Sequence, residues 1–165
     1  MIFTDAVEYF KFVRDIPYKK PLSVHEPDYT CRGKHIVLKA LLSSLGLKVR
    51  YAFCEWRWSS LDLPKPLKAL PHEDRVGHVY LEVYNKQQKR WMIVDATWDK
   101  KLGSKLPISE WDGKNDTVIA VKPTKMLRKK ADNLERRSEA RWKEPMKAEG
   151  QFVEAFNRWL EGIRA

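Results

Sequence analysis

The chain has 165 residues, of which 43% are hydrophobic and 12% aromatic, and a net charge of +10. That length fits one domain, and that apolar fraction supports a packed core rather than a disordered chain. No apolar run approaches the ~18–20 residues that cross a bilayer, and the opening MIFTDAVEYFKFVRD lacks the pattern of a signal peptide.

The first predicted helix is capped by Thr4, carries Val7, Phe10 and Val13 at helical spacing, and ends at Ile16-Pro17, where the proline pushes its predecessor out of the α region. An irregular stretch follows through Pro21 and Pro27. From Cys31 the residues Ile36, Val37, Ala40, Leu41, Ser44 and Leu45 form one stripe of a second helix. Thr30 or Asp28 supplies its cap and Gly46 its stop. Lys48 to Trp58 alternates as a strand, with Val49, Tyr51 and Phe53 on one face and Ala52, Cys54 and Trp56 on the other. Leu61 to Pro71 reads as a proline-punctuated loop. Val76–Tyr84 and Arg90–Thr97 read as two strands joined by a polar turn, and Thr117–Val121 as a further short strand. Ala131–Lys143 and Gln151–Ile163 read as helices, the latter with Phe152, Phe156, Trp159, Leu160 and Ile163 along one side. The order is that of an α+β domain spanning 1–165, with a core over about 13–121 and a basic, helical extension over 122–165.

Charge is concentrated in that extension: residues 1–121 carry +5, 122–147 carry +6 and 148–165 carry −1. A solvated helix face accounts for segment 122–147. Nucleic-acid binding ranks behind it, because no recognition motif or interleaved stacking aromatics accompany the charge.

Two cysteines without a short-spaced pair make no disulfide framework. A reducing, cytoplasmic setting is the simplest expectation, and there Cys31 stands out as a reactive thiol. A thiol at a helix N-terminus faces backbone N–H dipoles that stabilise its thiolate, and Arg32 and Lys34 add positive charge nearby. The downstream hairpin supplies partners. An odd index sum between its strands gathers Val79, Leu81 and Val83 with Met92 and Val94 on one face, and His78, Tyr80 and Glu82 with Trp91, Ile93 and Asp95 on the other. His78 and Asp95 then share a face, within hydrogen-bond reach at a sum near 173.

At these residues the chain resembles the transglutaminase-like superfamily, a papain-related group, in the manner of its small prokaryotic-type single-domain members. The likeness runs from about Val13 to Thr97. It comprises RDIPY at Arg14–Tyr18, the Cys31 helix closing in LLSSLGLKVR, HVYLEVY from His78, and WMIVDATWD containing Asp95. The resemblance implies a papain-like core in which a nucleophile-bearing helix packs on an antiparallel sheet, with Cys31 as nucleophile, His78 as base and then acid, and Asp95 as orienter. It implies attack on an amide or acyl carbonyl through a Cys31 thioester, with transamidation, deamidation or hydrolysis as the outcome, on a protein, peptide or small amide substrate. Such chemistry asks for no metal or organic cofactor. A non-catalytic binding module that keeps the fold is the alternative. The family often has a glycine shortly before the cysteine; here Gly33 follows it. The Cys31 backbone N–H and Tyr18 are the candidate oxyanion donors.

His35 lies one turn below Cys31 and is expected beside the site. A zinc site combining Cys31, His35, Cys54 and His72 or His78 lacks any short ligand spacing and ranks well below the thiol reading. Cys54 is expected to be structural, and His72 to lie in a solvated loop. Trp56 and Trp98 are candidate substrate-lining residues, in an aromatic set that includes Trp58 and Trp91.

Overall fold

The structure is a computed structural model that describes residues 2–127 and 149–165, with side chains from Ala6 onward. The helix expected over Ala131–Lys143 and most of basic segment 122–147 lie outside the described residues. Among those described, no helix is long and apolar enough to cross a membrane.

Helix α1 spans Ile2–Asp15 and buries Ala6, Phe10 and Val13 completely. Thr4 lies within it instead of capping it, since a cap preference of ~1 kcal/mol does not outweigh continued helix propagation. Four strands, β1 (Val49–Arg57), β2 (Arg75–Asn85), β3 (Arg90–Val94) and β4 (Lys125–Leu127), form an antiparallel sheet in the order β3-β2-β1-β4. The architecture is therefore α+β. Because strand side chains alternate, the sheet separates two apolar clusters. On one face Tyr51, Val79, Leu81, Val83, Met92 and Val94 pack against α1 and helix α2 (Cys31–Ser44). On the other, Cys54, Trp56 and Tyr80 meet the four-residue helix α3 (Lys65–Lys68), through Leu67, and the helix α4 (Gly150–Arg164), through Phe152, Phe156 and Leu160. Each such side chain buried contributes ~1.5–3 kcal/mol.

Two readings change here. The segment Thr117–Val121 joins no ladder; its Thr117 N–H reaches the Ile93 carbonyl of β3, while the Thr117 hydroxyl and the Ala120 N–H go to Asp95, as described below. The buried stripe of α2 is Lys34, His35, Leu38 and Leu42, rotated from the apolar one, and Val37 is exposed. Hydropathy counts Lys34 and His35 as surface, whereas backbone groups satisfy them inside. The stop of α2 does follow the sequence. Gly46, at φ +78°, donates to the Ser43 carbonyl at 2.9 Å, and Leu47 N–H reaches the Leu42 carbonyl at 3.3 Å, a Schellman closure.

Helix α4 is bolted to the segment before α2. Arg164 holds both carboxylate oxygens of Asp99, at 2.7 and 3.2 Å, and donates to the Tyr18 carbonyl at 2.8 Å. Asn157 exchanges two bonds with the backbone of Lys20. These contacts fix the chain on either side of the candidate site.

Candidate active site

Cys31 is the first residue of α2, after Thr30 in extended backbone conformation. No side chain caps this end. The Thr30 hydroxyl and N–H both bond the Asp28 carboxylate, at 2.5 and 2.9 Å, so the helix's first N–H groups keep their positive end beside the thiol. Gly33 makes this start possible. A Cβ there would sit 1.7 Å from the Asp28 carbonyl oxygen, so only glycine lets the preceding turn fold against the helix.

The β2–β3 hairpin has the odd-sum register, with Leu81 opposite Val94 and Val83 opposite Met92. It is offset by two residues from the pairing that would set His78 directly opposite Asp95. The two still meet diagonally on one face, with His78 Nε2 2.7 Å from Asp95 Oδ2. Because β3 ends at Val94, Arg75–Tyr80 of β2 has no strand neighbour on that side. The N-terminus of α2 packs against this strand, with the Cys31 sulfur near enough to the His78 ring and the Val79 N–H for both to stabilise its thiolate. With Nε2 engaged by Asp95, Nδ1 is the nitrogen left for the sulfur.

Asp95 is fully buried and saturated. Oδ2 accepts from His78 and from Ala120 N–H at 2.8 Å, and Oδ1 from the N–H and hydroxyl of Thr97 at 3.1 and 2.6 Å. Its own N–H donates to the Thr117 hydroxyl. Burial alone would raise its pKa, but the His78 charge and these bonds hold it well below the ordinary carboxylate range. Burial would likewise lower His78, yet Asp95, with the sulfur, raises it to about 10. For Cys31 the cost of burial is outweighed by His78 and the Val79 N–H, and the thiol falls below its usual value. The arrangement favours a thiolate–imidazolium pair backed by a carboxylate.

Beneath it sit two polar side chains of the same helix. The Lys34 ammonium donates to the carbonyls of Arg14 (2.7 Å), Ile16 (2.9 Å) and Thr97 (2.7 Å), joining the end of α1 to the loop after Asp95. Burial draws its pKa to about 7, against the pull of Asp99, Asp95 and Asp15. Three carbonyls around one nitrogen use all three protons of the charged form. His35 lies 2.6 Å from the Cys31 carbonyl through Nδ1 and accepts the Ala96 N–H at Nε2, 2.9 Å away.

The structure thus brings Cys31, His78 and Asp95 together. Three other candidate residues, His35, Trp98 and Trp56, are buried. His35 is enclosed with both nitrogens engaged, Trp98 donates to the Ala120 carbonyl at 2.8 Å inside the core, and Trp56 packs on Trp58 in the far cluster. Tyr18 is also buried. It packs on Trp98 with ring centroids 4.6 Å apart, and burial, Cys31 and Asp28 raise its phenol well above the usual value, which keeps it a donor. The zinc combination does not assemble, since His35 is spent on backbone groups and His72 stacks on Phe152. Among the described residues no group of three or more His, Cys, Asp or Glu side chains is placed to hold a metal. Cys54 faces His78 across the β1–β2 ladder, fully buried, with burial pushing its thiol up to about 12.

Sequence reading missed Thr97, Thr117 and Ala120, which act through backbone groups or long-range contacts, and it took Lys34 only as a charge near the thiol and Gly33 only as the glycine after the cysteine. Compared with family models, curated proteins and solved structures, the chain matches none of them.

Proposed function

We propose that the protein is a cysteine-dependent acyltransferase or hydrolase with a papain-like, transglutaminase-like core, acting on an amide or acyl carbonyl of a protein, peptide or small amide. The observation that carries the reading is a buried His78–Asp95 pair beside Cys31 at the start of α2, with His78 lowering the pKa of the thiol. The Cys31 thiolate attacks the carbonyl carbon and forms a C–S bond. The developing oxyanion takes up the Cys31 N–H, which no helix carbonyl accepts at this position, with Tyr18 as the second donor. His78 passes its proton to the leaving amine as the C–N bond breaks, and a thioester remains. Water or a second amine then adds to that carbon and gives a proton to His78, and the C–S bond breaks to restore the thiolate.

The first test is thiol reactivity. At pH 6 iodoacetamide should label Cys31 at least tenfold faster than Cys54, because only the thiolate reacts and Cys54 is buried with a raised pKa. Equal labelling, or faster labelling of Cys54, removes the reading. An activity-based thiol probe competed with peptide-amide and amine libraries then separates hydrolysis from transamidation.

A further inference from the structure

His35 is the buried titratable group that this chemistry leaves unused. It is fully enclosed, and its two nitrogens touch the backbone on both sides of the site. The Ala96 N–H points a proton at Nε2, so Nε2 carries the lone pair. The ring proton of the neutral form therefore sits on Nδ1 and is donated to the Cys31 carbonyl. Ala96 directly follows Asp95, whose Oδ1 lies 3.6 Å from Nε2. A proton on Nε2 would aim at that carboxylate and compete with His78 for its charge. Ala96 denies it that position. Lys34, the preceding residue, binds the Thr97 carbonyl, so consecutive side chains of the nucleophile helix grip consecutive backbone groups after Asp95.

We infer that His35 is a positioning residue: as a neutral, Nδ1-protonated imidazole it ties the Cys31 carbonyl to the Ala96 N–H, keeps the carboxylate loop in register with the nucleophile, and leaves the charge of Asp95 to His78. The inference rests on the proposed thiolate chemistry. The titratable groups facing the ring are Cys31 and Lys34 on α2, His78 on β2 and Asp95 beyond β3. Burial, only partly opposed by Asp95, draws the imidazole down to about 4, in keeping with the neutral form.

Two substitutions divide the bridge. His35→Gln retains an acceptor near the Nε2 position and loses the donor to Cys31. His35→Asn retains the donor and loses the acceptor for Ala96. The pH dependence of iodoacetamide alkylation of Cys31 should rise in the wild type well below the ~8.5 of an ordinary thiol. In His35→Asn and His35→Gln alike it should shift upward by about one pH unit, a tenfold loss of thiolate at neutral pH, because each variant breaks one end of the bridge. Nitrogen-15 NMR of the wild type should show His35 protonated on Nδ1 alone from pH 5 to 8. Should His35→Asn not fold, this spectrum decides the matter. An Nε2-protonated or charged His35 at neutral pH overturns the inference, as does an alkylation profile that both variants share with the wild type. A wild-type profile with an ordinary thiol midpoint instead removes the catalytic reading, and the inference with it, whatever the tautomer.

Discussion

Two imidazoles flank one carboxylate, and their surroundings drive them in opposite directions. On the Oδ2 side of Asp95, His78 presents Nε2 at 2.7 Å and the sulfur takes its other edge, so both neighbours favour a charged ring and its pKa rises to about 10. On the Oδ1 side, His35 comes only within 3.6 Å and the Ala96 N–H claims the nitrogen that faces the carboxylate; burial, only partly opposed by Asp95, draws its pKa down to about 4. Both rings are buried and both lie near the same negative charge. Burial opposes charge on both rings. At His78 the direct bond to the carboxylate outweighs it, whereas at His35 the Ala96 N–H occupies the nitrogen facing Asp95 and burial prevails.

The largest effect should come from removing the charge that separates the two. Asp95→Asn keeps the shape but places an amide N–H2 against donors, either Ala120 N–H and His78 or the Thr97 N–H. Turnover should fall by ~10³–10⁴, because His78 no longer stabilises its charged form, and the unmatched buried donor should cost ~1–3 kcal/mol. Chemical denaturation reports the second quantity, and thioester formation on a reactive amide, once a substrate is in hand, the first. A variant as active as the wild type would detach Asp95 from the chemistry altogether.

A second effect separates the rings by pH. His78 has a folded pKa above its unfolded value of ~6.5, so its contribution is full below that pH and is lost as pH rises through about 10. His35 has a folded pKa below ~6.5, so the unfolded chain takes up its proton first, and stability drops as pH falls from ~6.5 to about 4. Asp95, held low, extends the acid loss below ~4. Lys34 and Cys31, both lowered, oppose the alkaline trend, so the comparison must be made by difference. The stability gap between wild type and His78→Gln should narrow from pH 6.5 to 10. The gap for His35→Gln should narrow from pH 6.5 to 4. Each tenfold in proton affinity is worth about 1.4 kcal/mol. Urea unfolding across this range checks both, and gaps that stay constant would show that neither ring senses the fold.

The His78 side was legible in the sequence and the His35 side largely was not. Strand alternation set the parity that puts His78 and Asp95 on one face, although the hairpin pairs two residues away from the direct opposition that was expected. The α+β order, the Schellman stop at Gly46 and the apolar side of α4 follow from local patterns of the same kind. His35 and Lys34 are polar, so periodicity turned α2 toward the wrong face. Their burial depends on carbonyl and amide groups of residues 14, 16, 96 and 97, which no local pattern announces. Thr117–Val121 has strand composition but keeps a single backbone bond to β3, from the Thr117 N–H to the Ile93 carbonyl, and otherwise meets Asp95, a contact across more than twenty residues. A segment's propensity does not show that a distant carboxylate will claim one of its N–H groups, as Asp95 claims that of Ala120.

The smallest effect should come from Gly33, and it sharpens the comparison by disturbing one side of Asp95 first. Gly33 lies between Cys31 and His35 in the first turn of α2, with the Asp28 carbonyl packed against its Cα. In Gly33→Ala the new methyl lands 1.7 Å from that oxygen, and backbone cannot swing aside as a flexible side chain does. Either the 28–30 turn lifts off or the start of α2 retreats. Either movement displaces Cys31, and with it the carbonyl that His35 holds, whereas the His78–Asp95 bond belongs to the hairpin and survives. Overpacking of this kind costs ~1–3 kcal/mol, so the protein should fold with a lowered melting temperature. Cys31 alkylation at pH 6 should slow, while the NMR signature of a charged His78 bonded to Asp95 persists. If that signature vanished along with Cys31 reactivity, the two sides of Asp95 would be one cooperative unit, and the division of labour between the two histidines would be wrong.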